Sequence, residues 1–214
     1  MSEPTVEGKE TVVPDERRGG FPVFRHTPAG PDFGRFVEAM RRLQDLAVST
    51  HVPDEVLAEI ATQAEELADR LAPHEVPEGA SPAGSNIQLP GRGSLLMPPW
   101  TIERFDAEGV RSTGIFRRYH LGGNGAAHGG IVPLLFDDIF GMTTHAGGRP
   151  MSRTGYLHIN YRAITPLNTQ LVIEGKVDRV EGRKTFVSAR LTDLDGKLLV
   201  DGDALMIELL PGQP

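Results

Sequence analysis

Residues 122–142 read GGNGAAHGGIVPLLFDDIFGM, and the rest of the chain has to be arranged around this stretch. Glycines precede an apolar run of helical length. A helix start with exposed backbone N–H groups is therefore expected at Gly129 and Gly130, where a developing anion can be held. Pro133 is tolerated in the first turn of such a helix. Residues such as Ile131, Leu135, Phe136, Ile139 and Phe140 leave hardly any polar face. The run predicts a helix over about 129–144 that is buried on nearly all sides. Asp137 and Asp138 lie within it, and a carboxylate in apolar surroundings is costly unless it has a partner or a task. An anion-binding helix entrance followed by such a carboxylate is the outline of acyl-transfer chemistry.

The flanks predict what buries this helix. Residues near 98–106 and 110–121 read as strands around the turn Asp106-Ala107-Glu108-Gly109. Downstream, Leu157, Ile159 and Tyr161 alternate with His158, Asn160 and Arg162, the pattern of a half-buried strand. Strands at about 169–180, 184–194 and 197–209 follow, separated by the short breaks Glu181-Gly182-Arg183-Lys184 and Asp195-Gly196. Such spacing leaves no room for helical crossovers, so these strands must be antiparallel. The expected class is α+β, one antiparallel sheet wrapped around one long buried helix, and this domain spans 87–214.

Upstream, residues 1–31 are polar and aperiodic, as expected of a flexible arm. Residues 32–86 predict a helical extension and linker. One helix starts at Phe33 behind Pro31-Asp32, a second runs from about Asp54 to Leu71, and residues 73–86 have linker composition. The helical pair reads as a cover or a dimer-contact element.

Composition excludes several classes. The chain has 214 residues, 39% hydrophobic and 24% charged, enough for a sizeable core. A net charge of −7 argues against nucleic acid as a partner. Cysteine is absent, which removes disulfides, thiol catalysis and cysteine-ligated metals. Neither an 18-residue apolar run nor a signal-peptide core is present, so a cytoplasmic protein without a membrane span is expected. Gly123-x-Gly125-x-x-His128 lacks the third glycine of the dinucleotide fingerprint, and no P-loop or H-E-x-x-H occurs. No metal site and no cofactor are expected.

Within the helix, Asp137 and Asp138 point about 100° apart. One faces a site and the other a polar contact or subunit boundary; the plainer alternative makes both interface or capping carboxylates. His128 either serves the site or merely orients its loop. Gly130 and Asp137 are seven residues apart, roughly 10 Å along a helix, whereas groups acting on one carbonyl lie about 3 Å from the reacting atoms. Two antiparallel helices across a two-fold axis would bring one chain's glycine amides to the other's Asp137. A homodimer, or a dimer of dimers, with shared sites is expected.

From about 95 to 210 the chain resembles the hotdog-fold acyl-CoA thioesterases of the 4-hydroxybenzoyl-CoA thioesterase superfamily, in particular its phenylacetate-pathway and carboxyl-terminal-modulator-like branches. The resemblance is carried by His128-Gly129-Gly130, by Asp137 nine residues after His128, by Thr154 on the next strand, and by the strings Ile159–Arg162 and Val180–Lys184. It implies that Asp137 is the general base or nucleophile, that the N–H of Gly130 or Gly129 polarises the thioester carbonyl, and that His128 orders the loop. Thr154 would orient the water or Asp137. Arg183 and Lys184 would meet the phosphates of coenzyme A, which is part of the substrate, although an ordinary solvated turn also accounts for them. Some members carry Asn six residues before the His; here that position is Gly122, and Asn124 stands as its substitute. The first 85 or so residues have no counterpart in the minimal unit. A non-catalytic acyl-CoA-binding or interaction protein is the competing reading. An enoyl-CoA hydratase on the same fold is disfavoured, because its D-x-N-P-x-H-type run is missing.

Overall fold

In a computed structural model, residues 28–210 and 213 are described, together with the backbone of two paired two-residue strands, β1 (Arg17–Arg18) and β2 (Phe21–Pro22). Most of the stretch expected as a flexible arm, 1–31, lies outside the described residues. Helices α1 (Phe33–Ala47) and α2 (Asp54–Leu71) come next, where helical periodicity places them. A six-stranded antiparallel sheet follows, in the order β3-β4-β8-β9-β10-β7. Its strands are β3 (Thr101–Asp106), β4 (Gly109–Gly114), β7 (Ser152–Tyr161), β8 (Leu171–Glu181), β9 (Lys184–Asp193) and β10 (Leu198–Glu208). Between β4 and β7 come a small hairpin, β5 (Leu121–Gly123) with β6 (Ala126–Ala127), and the long helix α3 (Ile131–Ala146).

Helix α3 lies in the concavity of the sheet. Val132, Leu135, Phe136, Ile139 and Phe140 meet Ile173, Val187, Leu191 and Val200 in one core. Phe136, Ile139 and Phe140 have no exposed surface, and burial of each contributes about 1.5–3 kcal/mol. Gly175 allows helix and sheet to approach closely, because a Cβ there would collide with the Thr143 hydroxyl and with Ile139.

Two expectations need correction. Helix α3 is not buried on nearly all sides: Pro133, Leu134, Asp137 and Gly141 form a half-buried face in the single chain. The sheet covers one side and the segment around 90–100 a second, leaving this third face open. The strand expected over 110–121 stops at Gly114, where a Cβ would stand 2.5 Å from Trp100 Cγ. The chain then turns through Arg118–His120 into the β5–β6 hairpin. Asn124 (φ 49°) and Gly125 (φ 73°) form its two-residue turn, in which both positions need positive φ. Strand β7 runs from Ser152, so it holds Thr154 as well as the alternating residues Leu157–Tyr161.

The two helices of the extension differ. Helix α1 buries Val37 and Arg41, and the Arg41 guanidinium donates to the carbonyls of Pro90 (2.8 Å) and Ser94 (2.9 Å). Burial lowers the pKa of that guanidinium from its usual range. Helix α2 buries no residue, and Val56, Leu57 and Ile60 stay exposed. Among the described residues, only α1 acts as a cover.

Candidate active site

The helix entrance is built by hydrogen bonds around His128. Its N–H donates to the His120 carbonyl at 2.7 Å, and its carbonyl accepts from Ile131 N–H at 3.0 Å. Its Nδ1 accepts from Gly130 N–H at 2.9 Å, so the neutral ring carries its proton on Nε2. This arrangement sets the two glycine amides apart. That of Gly130 is consumed within the loop, whereas that of exposed Gly129 has no acceptor among the described residues. Gly129 is held from its other side, because the Tyr161 hydroxyl at the end of β7 donates to its carbonyl in a short contact. Sequence reading missed Tyr161 in this role; its place seven residues after Thr154 carries no periodic signal.

Asp137 and Asp138 have separate partners, as their 100° offset requires. Asp137 Oδ1 accepts from the Thr154 hydroxyl at 2.7 Å. Asp138 takes a two-pronged pair from Arg92, with both N–O distances 2.6 Å and side chains 22% and 19% exposed. Burial opposes the Arg92 charge, but the hydrogen bonds and charge of Asp138 outweigh it and raise the guanidinium above its usual range. Arg92 adopts φ 52° and also donates to the Gly84 carbonyl at 3.0 Å, which fixes the 84–94 segment across α3. A pairing across 46 residues leaves no trace in local sequence, so Arg92 too went unread.

Thr154 reaches Asp137 because of an irregularity in β7. Residues Tyr161, Ile159 and Leu157 pair with Val200, Gly202 and Ala204 of β10, whose side chains or backbone face the core. Strict alternation would put Gly155 inside and Thr154 outside. The register slips there: Leu205 pairs with Tyr156 but Met206 pairs with Thr154, so Gly155 is an extra, bulged residue. The bulge turns Thr154 to the helix side. A Cβ at Gly155 would stand 2.9 Å from Ile207 Cδ1.

The remaining expected residues are placed less directly. Asn124 is exposed at the hairpin tip, and its left-handed turn accounts for an asparagine without a ligand. Arg183 is tied to the end of β10, donating to the Glu208 carbonyl at 3.0 Å while its own carbonyl accepts from Glu208 N–H at 2.9 Å. Lys184 pairs with Ile207, beside buried Thr185, and so points outward at the end of the sheet that also carries Thr154. Gly129 stands just before Gly130, the N-cap of α3, and Asp137 lies seven residues beyond that cap, roughly 10 Å at about 1.5 Å per residue. Among the described residues no three or more His, Asp or Glu side chains converge to hold a metal ion, and no helix is long and apolar enough to cross a membrane.

Comparison with known proteins agrees with this geometry. Residues 124–200, from the Asn124 turn through α3 into β10, match the family model of the thioesterase superfamily. The sheet wrapped around α3 has the hotdog arrangement, and residues 124–200 are similar to that superfamily. A solved structure described as a thioesterase superfamily protein superposes with a TM-score of 0.74 at 26% identity, covering 85% of this chain and 97% of that one. That coverage is more than the sheet and α3 supply, so the likeness extends into the helical extension. Among curated relatives, acyl-coenzyme A thioesterase THEM4 of Rattus norvegicus is 36% identical over 97 residues, 44% of this chain and 41% of that protein. Its counterpart in Xenopus laevis is 33% identical over 97 residues, 44% and 42% of the two chains. The chain spans less than half the length of these relatives.

Proposed function

We propose that this protein hydrolyses acyl-CoA thioesters to the free acid and coenzyme A. The observation that carries the reading is the 2.7 Å hydrogen bond from Thr154 to Asp137, on a face of α3 left open in the single chain. It is supported by the unengaged Gly129 amide at the helix start and by the thioesterase relatives. Asp137 takes a proton from water as the water oxygen bonds to the thioester carbonyl carbon. The charge that develops on the carbonyl oxygen is met by Gly129 N–H and the helix N-terminus. Collapse of the tetrahedral species breaks the C–S bond, and the proton held by Asp137 passes to the departing thiolate. Thr154 donates to the Asp137 oxygen that is not taking the proton and so fixes the direction of the other. The same groups also serve direct attack by the carboxylate.

The site is completed by a second copy. Roughly 10 Å of helix separates the N-cap Gly130, next to Gly129, from Asp137, too far for both ends to act on one carbonyl, and the outer edge of β7 pairs with no strand among the described residues. A two-fold dimer formed along that edge would set one copy's Gly129 amide against the partner's carboxylate and fill the half-buried face of α3. Arg183 and Lys184, at the sheet end where β7 begins, would meet the coenzyme A phosphates by local positive potential in an otherwise acidic chain.

Thiol release from a panel of aliphatic and aromatic acyl-CoAs tests the proposal. Turnover is expected for at least one, and Asp137→Ala should lower it by about 10²-fold or more, as for removal of a positioned acid or base. Tight binding of acyl-CoA without any turnover would instead establish a non-catalytic binding protein.

A further inference from the structure

We propose that Asp45, on the N-terminal helix α1, is a positioning residue for the loop that presents the Gly129 amide. The inference rests on the thioesterase reading above, but it concerns a part of the chain outside the segment that matches the superfamily.

The argument follows one chain of hydrogen bonds. Asp45 Oδ2 accepts from Arg117 Nε at 2.7 Å, and its Oδ1 accepts from Tyr119 N–H at 3.2 Å. Both side chains of the ion pair are largely removed from solvent, 21% exposed for Asp45 and 14% for Arg117. The two bonds hold the turn Arg118–His120, which no sheet ladder supports. Within that turn, Arg117 N–H donates to His120 Nδ1 at 2.9 Å, and His120 N–H donates back to the Arg117 carbonyl at 3.0 Å. The His120 ring is 4% exposed, with Tyr119 at 4.0 Å and Phe116 at 5.8 Å between centroids. Packed so, its carbonyl has a defined place, and that carbonyl receives His128 N–H. His128 in turn engages Gly130 N–H and Ile131 N–H, which leaves Gly129 as the amide turned to the substrate.

Gly122 shows how tight the fit is, since a Cβ there would stand 2.7 Å from His128 Cα. The two arms of the β5–β6 hairpin are thus packed against each other, and the bond from His128 N–H to the His120 carbonyl ties them to the turn behind. A shift of the turn is passed to His128 and then to Gly129. A misplacement of about 1 Å at a reacting group can cost on the order of 10²-fold in rate. Helix α1 thus supplies, from outside the minimal fold, the support for one half of the site.

The test compares Asp45→Ala with Glu38→Gln in the full chain. Glu38 also pairs with Arg117, at 2.6 Å, but does not touch the Tyr119 N–H. Asp45→Ala should lower kcat about tenfold with KM within about twofold, and His128 amide hydrogen exchange should accelerate about tenfold or more as its acceptor loosens. Glu38→Gln should leave both within about twofold. If Asp45→Ala does not fold, Asp45→Asn replaces it; that variant keeps an acceptor but loses the charge facing Arg117, and it should move both readouts in the same direction by less. Unchanged kcat and unchanged His128 exchange in the Asp45 variant would overturn the inference, and so would an equal loss in Glu38→Gln. A wild-type chain without turnover would refute the thioesterase reading alone, because the His128 exchange arm still reports on the loop.

Discussion

His120 makes the fold sensitive to mild acid in a way that can be worked out beforehand. Burial, reinforced by the nearby Arg117 and Arg41 charges and only partly offset by Asp45, lowers its pKa from the ordinary 6.5 to about 4. Its Nδ1 is already an acceptor, from Arg117 N–H, so protonation would both charge a buried ring and set two donors against each other. The unfolded chain binds this proton from about pH 6.5 downward, whereas the folded chain resists it until about pH 4. In that window the unfolded state holds more protons, so stability falls as pH falls. A gap of about 2.5 pH units at about 1.4 kcal/mol per unit amounts to about 3 kcal/mol, of which roughly 2 kcal/mol should be lost between pH 7 and pH 5. Urea denaturation of the wild type and of His120→Gln across pH 4.5–7.5 isolates this group, since the other histidines contribute equally to both proteins. The variant should start less stable and show a shallower decline between about pH 6.5 and pH 5. Parallel stability curves would mean that the ring is not kept neutral by its surroundings.

Two further outcomes follow from the site. Asp138→Ala should cost about 2 kcal/mol by leaving Arg92 half-buried without its partner, with kcat per folded site within about threefold; the double variant with Arg92→Ala should cost less than the two single losses added. A kcat loss equal to that of Asp137→Ala would reverse the assignment of the two carboxylates. Co-refolding equal amounts of Asp137→Ala and Gly129→Pro chains should restore roughly a quarter of wild-type activity, because about half the dimers are mixed and one site in each is intact. Hybrid dimers that form demonstrably yet remain inactive would disprove a site shared between chains.

Much of this architecture was open to reading because its signals are local. Helix α2 falls on Asp54–Leu71 as its periodicity requires, and β8, β9 and β10 follow from alternation and two short turns. The pairing of Thr154 with Asp137 came from the resemblance, whereas the reason for it, a bulge at Gly155, depends on a neighbouring strand and has no signature of its own. That the Gly130 amide is engaged while the Gly129 amide has no acceptor among the described residues is equally hidden, since it turns on where the His128 ring lies. The resemblance makes Asn124 a substrate contact, and the Asn-Gly pair also suits the two-residue turn that it occupies. Arg41, Asp45 and Arg92 look like ordinary surface charges along the sequence. Each finds its partner some 46 to 74 residues away, a distance at which no spacing rule operates.

The bulge at Gly155 bears on how such chains are compared. It acts as a parity switch: Leu157–Tyr161 keep their facing whether or not it is present, while Ser152–Thr154 exchange inner for outer. A relative that gained or lost one residue here would carry its hydroxyl at a different offset from the rest of the strand and still deliver it to the same carboxylate. Column-by-column alignment would record a missing threonine where the three-dimensional arrangement has been preserved. Kinship across this point is better traced through which side chain meets the helix than through position in the string.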